Sequence, residues 1–278
     1  MKKKTWYQVV LSLLVVGLVF VAAGCSNSSS QTNAVKKIQN KGTLVVGTSA
    51  DFAPFEFPIV QNGQKKIVGF DIMLAKKIAN NLGVKLKIEN VEFSSLISEL
   101  KNKKVDLILS GLSITPQRKK SIDFSTPYYT TKNVLLVKKA DKNKYTSLKQ
   151  LAKKSIGVQQ GSTQQSIATA KLKSSNLVVE SVVTSLTTEL KNGKLDGVLV
   201  ESGVADGYVS KYPDQYAIAP VKMPIEKESQ SYSAGIAKGN QALVKRVNKV
   251  IKQLKKNGTD KQMLKQAQQL QSKYSKSK

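Results

Sequence analysis

The chain has 278 residues, with 45 Lys and Arg against 18 Asp and Glu, no His and one Cys, for a net charge of +27. Without histidine there is no His-dependent triad, His-ligated metal or imidazole proton shuttle, and one cysteine allows neither an internal disulfide nor a thiolate zinc cage. The basic excess marks a surface that attracts polyanions, but the lysines lie in short scattered clusters with no interleaved aromatics, as in a solvated surface rather than a nucleic-acid groove.

The first element is an export segment. Lys2, Lys3 and Lys4 precede an almost wholly apolar run from Val9 to Ala23, which has the length of a secretory h-region and falls short of the ~20 residues that span a bilayer. It ends in Ala22-Ala23-Gly24-Cys25, which resembles a bacterial lipobox, with residues 1–24 as signal peptide and Cys25 as the lipidated mature N-terminus. An ordinary signal peptide with a chance cysteine is the alternative. The polar stretch from Ser26 to Asn33 reads as part of a flexible tether, 25–40.

Strands and helices alternate from there. Thr43 to Gly47 is a strand. Asp71 is positioned to cap a helix carrying Ile72, Ala75, Ile78, Ala79 and Leu82, with Gly83 past its end. Val84, Leu86 and Ile88 alternate with lysines at strand period. A helix follows Ser94 and Ser95, and Val105–Leu109 reads as a buried strand. The pattern continues with strand 155–158, a helix capped by Thr163, strand 177–182, a helix capped by Ser185 and strand 195–200. Helix then runs from Gln241 to about Ser272, broken near Asn257-Gly258. Such alternation predicts an α/β fold of parallel sheets flanked by helices.

An internal echo organises these units. FSSLISELKNKKVDLIL (93–109) and VTSLTTELKNGKLDGVL (183–199) match without a gap, sharing Glu99/Glu189, Asn102/Asn192, Asp106/Asp196 and six further identities. This predicts one unit used in each of two lobes, with a ligand beyond the carboxyl ends of the strands. Ser110-Gly111-Leu112-Ser113 and Glu201-Ser202 would then face one cleft. Thr115 and Pro116 suit a helix start that sets Arg118 one turn away. Arg118 is one of two arginines in the chain, and its planar fork suits a carboxylate. Gly161-Ser162-Thr163 opens a helix and offers N–H groups and hydroxyls to an anion. Phe52 and Phe93 are candidate cleft walls, Glu201 the candidate partner for an ammonium, and Asp51 and Glu56 weaker candidates with turn or interlobe roles.

The motifs GTSADFAPFEF, VGFDIMLAKKIANNLG, DLILSGLSITPQRKKSIDFSTPYY, GVQQGSTQQ and LDGVLVESGVA resemble, over about residues 41–265, the polar amino-acid-binding lipoproteins of ABC importers, solute-binding protein family 3. The resemblance implies a two-lobed type II periplasmic-binding-protein-like fold, each lobe a mixed sheet flanked by helices. Hinge crossings would lie near 128–131 and 228–233, giving lobes 41–129 plus 232–278, and 130–231. It implies Phe52 and Phe93 stacking on the ligand, Ser110, Gly111, Ser113 and Arg118 as first-lobe contacts, Gly161, Ser162 and Thr163 as second-lobe carboxylate contacts, and Glu201 on the α-ammonium where the family commonly has Asp. Ser49 stands where binders of basic or amide side chains often carry Asp, so the side-chain preference stays open. The implied protein is a monomer outside the cell membrane of a Gram-positive bacterium, anchored through Cys25. It captures a free amino acid by closure for a permease and its ATPase, with no catalytic residue, metal, cofactor or nucleic acid. A dehydratase-like enzyme using Glu201 as acid and a basic surface adhesin are the alternatives.

Overall fold

The computed structural model describes residues 29–225 and 229–274; the signal peptide and Cys25 lie outside them. The chain runs through α1 (Ser29–Lys41), β1 (Thr43–Thr48), a hairpin of β2 (Phe57–Gln61) and β3 (Gln64–Val68), α2 (Phe70–Leu82), β4 (Lys85–Asn90), α3 (Leu96–Lys101), β5 (Leu107–Ile108), α4 (Pro116–Ser121) and β6 (Ile122–Phe124). It continues with β7 (Tyr129–Thr130), β8 (Asn133–Lys138), β9 (Ser155–Gln159), α5 (Thr163–Lys171), β10 (Asn176–Glu180), α6 (Val183–Lys191), β11 (Gly197–Glu201), α7 (Ser202–Lys211) and β12 (Tyr216–Ile218). It closes with β13 (Ser231–Tyr232), β14 (Gly235–Ala237), α8 (Gln241–Lys256) and α9 (Thr259–Lys273).

The strands sort into two five-stranded sheets of matching design, β4-β1-β5-β14-β6 and β10-β9-β11-β8-β12. In each, the first three strands are parallel, and a strand that enters from the other half of the molecule, β14 or β8, runs antiparallel to its neighbours. The chain passes from one sheet to the other through β7 and returns through β13. These two strands pair antiparallel, Tyr129 opposite Tyr232, as a ribbon between the halves. Helices cover the sheets because the strands carry apolar side chains toward them: Leu44, Val46 and Leu107 pack with Leu74 and Ile78, and Ile156, Val158 and Leu199 with Ile167 and Ala168.

The two echo segments do the same structural work in each half. Asp106 follows α3 and precedes β5; its N–H bonds Val45 O (2.8 Å) and its carboxylate accepts from Val45 N (2.9 Å) and Lys41 Nζ (2.7 Å). Asp196 stands between α6 and β11; its N–H bonds Ser155 O (2.9 Å), and its carboxylate accepts from Ser155 N (3.0 Å) and the Tyr145 hydroxyl (2.8 Å). Each aspartate thus pins the crossover to the first half of the middle one of the three parallel strands of its sheet, β1 or β9. Burial works against the Asp196 carboxylate, but the bonds from Ser155 and Tyr145 hold its pKa below the ordinary value.

Several local expectations are corrected. The flexible tether expected to residue 40 is helical from Ser29, and Val35 and Ile38 are buried in the core against α8. Asp71 does not cap α2. Gly69 precedes that helix, and the N–H groups of Phe70 and Asp71 are taken by the carbonyls of Pro54 and Phe55, freeing the Asp71 carboxylate to turn inward. The cap of α5 is Ser162, whose Oγ accepts from Gln165 N, rather than Thr163. α6 begins at Val183, ahead of Ser185, because its first N–H is received by the Asp51 carboxylate from the opposite half.

The repeat makes the first prediction. Asp196→Ala leaves the Ser155 N–H and Tyr145 hydroxyl without their acceptor and should lower stability to urea by about 1–3 kcal/mol, and Asp106→Ala should cost a similar amount in its own half. Loss from only one of the two would break the equivalence.

Candidate functional site

The ends of β1, β5, β9 and β11 face each other across the two halves, and the segments that leave them build the cleft. After β5 the chain turns through Ser110 and Gly111. Gly111 has φ +52, and a Cβ there would lie 2.6 Å from the Phe52 ring; only glycine lets that ring lie against the turn. Phe52 heads a cluster that continues into the ribbon. Phe55 meets Tyr129 (centroids 4.9 Å apart) and Tyr232 (5.1 Å) edge-on, and Tyr129 stacks with Tyr232 (5.5 Å).

Arg118 sits where the sequence placed it. Thr115 caps α4 by accepting from Arg118 N (3.1 Å), with Pro116 at the first helical position. The guanidinium lies over the Phe93 ring, 5.4 Å from its centroid. It donates to Ser113 O in its own half (2.7 Å) and to Gly161 O in the other (3.0 Å). Its other N–H groups are left for an acceptor such as a carboxylate. Gly161 has φ +74, and a Cβ there would come within 3.2 Å of Ser94 Cα in the opposite half. An open groove of ≈640 Å³ runs between α4 and the start of α5, with Arg118 and Gly161–Thr163 in its walls.

The polar groups around this arginine are already heavily engaged. Ser110 Oγ donates to Glu56 Oε1 (2.9 Å) and accepts from Ser49 N (2.9 Å). Gly111 N donates to Asp71 Oδ2 (2.9 Å), which also receives the Tyr128 hydroxyl (2.7 Å). Ser162 Oγ donates to Gln159 O (2.7 Å), and Gly161 N donates to Gln165 Oε1 (2.7 Å). Thr163 and Glu201 are buried beside them. Gln164, on the first turn of α5, donates to Asn133 Oδ1 (2.8 Å) and helps to lower the pKa of Glu201 against its burial. Of the expected residues, Ser110, Gly111, Gly161 and Ser162 therefore have their principal polar groups committed within the protein. Ser113 Oγ and Glu56 Oε2 are buried without a protein partner.

Asp51 is the residue whose weight the sequence understated. From the end of β1 its carboxylate accepts from Ser49 Oγ (3.1 Å) in its own half, and from Gln159 Nε2 (3.3 Å) and Val183 N in the other. It caps a helix across the cleft, and with the Arg118–Gly161 bond it ties the halves together. The pair ADF alone gave no sign of this, since the acceptor and its helix are 132 residues apart. Gln159 and Gln164 were likewise missed; their only signal is the run of amides in GVQQGSTQQ.

Four carboxylates, Asp51, Glu56, Asp71 and Glu201, are buried around this cleft beside one guanidinium. Burial raises all four pKa values: Glu56 well above normal with Asp71 repelling it further, Asp71 to about 6 and Glu201 to about 7. Burial also lowers Arg118 to about 10, against the pull of Glu201. Folded-state values above the ordinary 3.8 and 4.5 mean that the folded chain holds protons the unfolded chain has released. The stability of the protein alone therefore falls as pH rises through this window. A cation placed among these groups reverses the penalty. Among the described residues no group of three Asp, Glu or Cys side chains is arranged to hold a metal ion.

Residues 44–268 match the bacterial extracellular solute-binding proteins, family 3. The arginine-binding extracellular protein ArtP of Bacillus subtilis is 35% identical over 257 residues, covering 92% of this chain and 94% of that protein. A probable histidine-binding protein of Campylobacter jejuni is 33% identical over 198 residues, 71% of this chain and 74% of its own. Among solved structures, an amino acid ABC transporter substrate-binding protein from Streptococcus pneumoniae bound to L-arginine superposes with a TM-score of 0.82 at 42% identity, covering 85% of this chain and 98% of that one. With two matching α/β halves, a two-strand ribbon between them and a polar cleft at the strand ends, the chain belongs to family 3 of the bacterial extracellular solute-binding proteins.

Proposed function

We propose that this protein captures a cationic amino acid, L-arginine foremost, and delivers it to an ABC importer. The observation that carries the reading is the set of buried carboxylates around a single arginine. Buried anions without compensation are costly, and a ligand with two positive groups and one negative group supplies what the cleft lacks. The arginine-binding names of relatives over nearly the whole chain support the same ligand.

The ligand's α-carboxylate would meet Arg118, with Ser113 Oγ and the start of α5 around Thr163. Its α-ammonium would meet Glu201, and its stem would lie between Phe52 and Phe93. Glu56, with its unpartnered Oε2, and Asp51 are the carboxylates proposed for the side-chain cation. Asp51 lies two residues beyond Ser49 and is held by that serine's hydroxyl, which offers a carboxylate near a position where Asp was expected. Closure about the ribbon of β7 and β13 would swing the halves, split at 41–129 plus 232–278 and 130–231. The interlobe bonds of Asp51 and Arg118 would hold the closed form that the permease and ATPase recognise. The body would be a monomer held outside the membrane of a Gram-positive cell by lipid on Cys25, after removal of residues 1–24. It would perform no catalysis: the raised pKa of Glu201 suits a general acid, but a buried carboxylate awaiting a cation has the same signature.

Calorimetry against the twenty amino acids, ornithine and cystine should give arginine as the tightest ligand, and exclusive binding of a neutral amino acid would overturn the reading. Arg118→Ala and Glu201→Gln should each weaken arginine binding about 100-fold, ~3 kcal/mol. Cation binding needs ionised carboxylates, so arginine affinity should rise between pH 5.5 and 8. Over the same range the stability of the ligand-free protein should fall, and Glu201→Gln, which removes a raised carboxylate, should flatten that fall and stabilise the ligand-free protein at pH 7.5 by about 2 kcal/mol. Asp51→Ala, which removes the acceptor of the Val183 N–H, should weaken the closed state by about 1 kcal/mol, visible as a larger radius of gyration in X-ray scattering at subsaturating arginine.

A further inference from the structure

Helix α8 carries six basic residues and no acidic one. At ~100° per residue, Lys245, Lys249, Lys252 and Lys256 fall within an arc of about 60°, opposite the buried Leu243, Val247 and Val250. All four are exposed, and none has an ion-pair partner among the described residues. Beside them is a shallow groove of ≈490 Å³ with Pro127 and Ile251 in its lining and Lys245, Lys249, Lys252 and Lys255 among the residues around it. Lys255 is fixed there by donating to Pro127 O (2.7 Å). Apolar atoms surrounded by ammonium groups suit a surface of anionic headgroups.

The position of this face in the chain identifies that surface. α1 packs on α8 through Val35 and Ile38, and Ala34, Lys37 and Ile38 share a groove with Asn240, the cap of α8. Because α1 begins at Ser29, only Ser26, Asn27 and Ser28 separate it from Cys25. At ~3.5 Å per residue the reach from Cys25 to Ser29 is at most about 14 Å, less than two of the ~8 Å Debye lengths of physiological salt. A lipid on Cys25 would thus hold the first half of the body within electrostatic range of the membrane. The exposed Lys36 and Lys37 on α1 add to the charge near that point.

We propose that the lysine face of α8 docks on anionic phospholipid headgroups and fixes the orientation of the anchored protein on the membrane. This rests on the lipid-anchor reading of Cys25. The test reconstitutes the mature lipidated protein in phosphatidylcholine vesicles with and without phosphatidylglycerol, labels amines briefly, and reads each lysine by mass spectrometry. Labelling of Lys245, Lys249, Lys252 and Lys256 should slow about threefold or more on the anionic vesicles, while Lys142 and Lys173 on the other half stay unchanged. The protection should vanish in 1 M salt. In the triple variant Lys245→Gln, Lys249→Gln, Lys252→Gln, Lys256 should lose its protection while arginine affinity is retained. Retained protein labelled equally on both vesicles would overturn the docking alone. Protein that fails to stay on pure phosphatidylcholine would overturn the anchor, and the docking with it. Equal protection on phosphatidylcholine by soluble poly(glycerol phosphate) would overturn the membrane as partner in favour of wall polymer.

Discussion

The structure turns on the burial of negative charge in a chain that is otherwise strongly positive. Of 18 acidic residues, Asp51, Glu56, Asp71 and Glu201 are withdrawn from water around the cleft. Elsewhere Asp106 and Asp196 are spent on fixing the sheets. Three of these carboxylates are held by donors from a different part of the chain: Ser110 on Glu56, Gly111 and Tyr128 on Asp71, Val183 and Gln159 on Asp51. These donors soften the cost of burial without cancelling it, since all four pKa values remain raised. A binding protein gains from this. Under the proposed cationic ligand, the cost of burying these groups would be offset when the cation arrives, so that affinity and closure would draw on the same source.

The two halves divide that work unequally although they share a plan. Their sheets have the same strand order and the same aspartate pin, yet the first half supplies Asp51, Glu56, Asp71 and Arg118, and the second Glu201 with the amides of Gln159 and Gln164. The polar links across the cleft are the Asp51 carboxylate on the Val183 N–H and the Gln159 amide, and the Arg118 guanidinium on Gly161 O, while α9 of the first half packs on α7 of the second. The aromatic contacts of Phe55, Tyr129 and Tyr232 sit at the ribbon instead. Apolar packing at the pivot can persist through a rotation, whereas polar bonds at the mouth are exchanged readily for water. That distribution suits a molecule whose halves separate and rejoin.

Much of this was legible in the sequence where local patterns sufficed. Alternating strands and helices, the echo at 93–109 and 183–199, the Thr115-Pro116 helix start and the break at Asn257-Gly258 depend on neighbours a few residues apart. What escaped depends on partners far along the chain. Asp71 looked like a cap because Asp at a helix start usually is one, but the helix already begins at Phe70 behind Gly69, and the Pro54 and Phe55 carbonyls receive its first two N–H groups. Ser185 looked like a cap because the true acceptor, Asp51, belongs to the other half. Ser26–Asn33 looked like a leash on composition alone, whereas Val35 and Ile38 further on draw the segment from Ser29 into a helix docked on α8. Ser110 and Gly111 stand at the turn after β5, but position did not disclose that their donors were already committed to Glu56 and Asp71.

A surface of net positive charge repels a cation at close range, yet screening separates the two fields. Beyond ~8 Å the exposed lysines are largely masked by salt, while the cleft charges act inside low-dielectric walls. Membrane proximity adds a second effect. A cytoplasmic-type anionic leaflet has a surface potential of about −30 mV; an outer surface of that potential would enrich a monovalent cation about threefold. If the proposed lipid anchor and docking hold the body at such a surface, it would sample that enriched layer, and lysines engaged with headgroups would no longer oppose the approaching ligand. The basic exterior and the acidic cleft would then be compatible parts of one arrangement, in which the outer charge positions the protein and the inner charge selects what it holds.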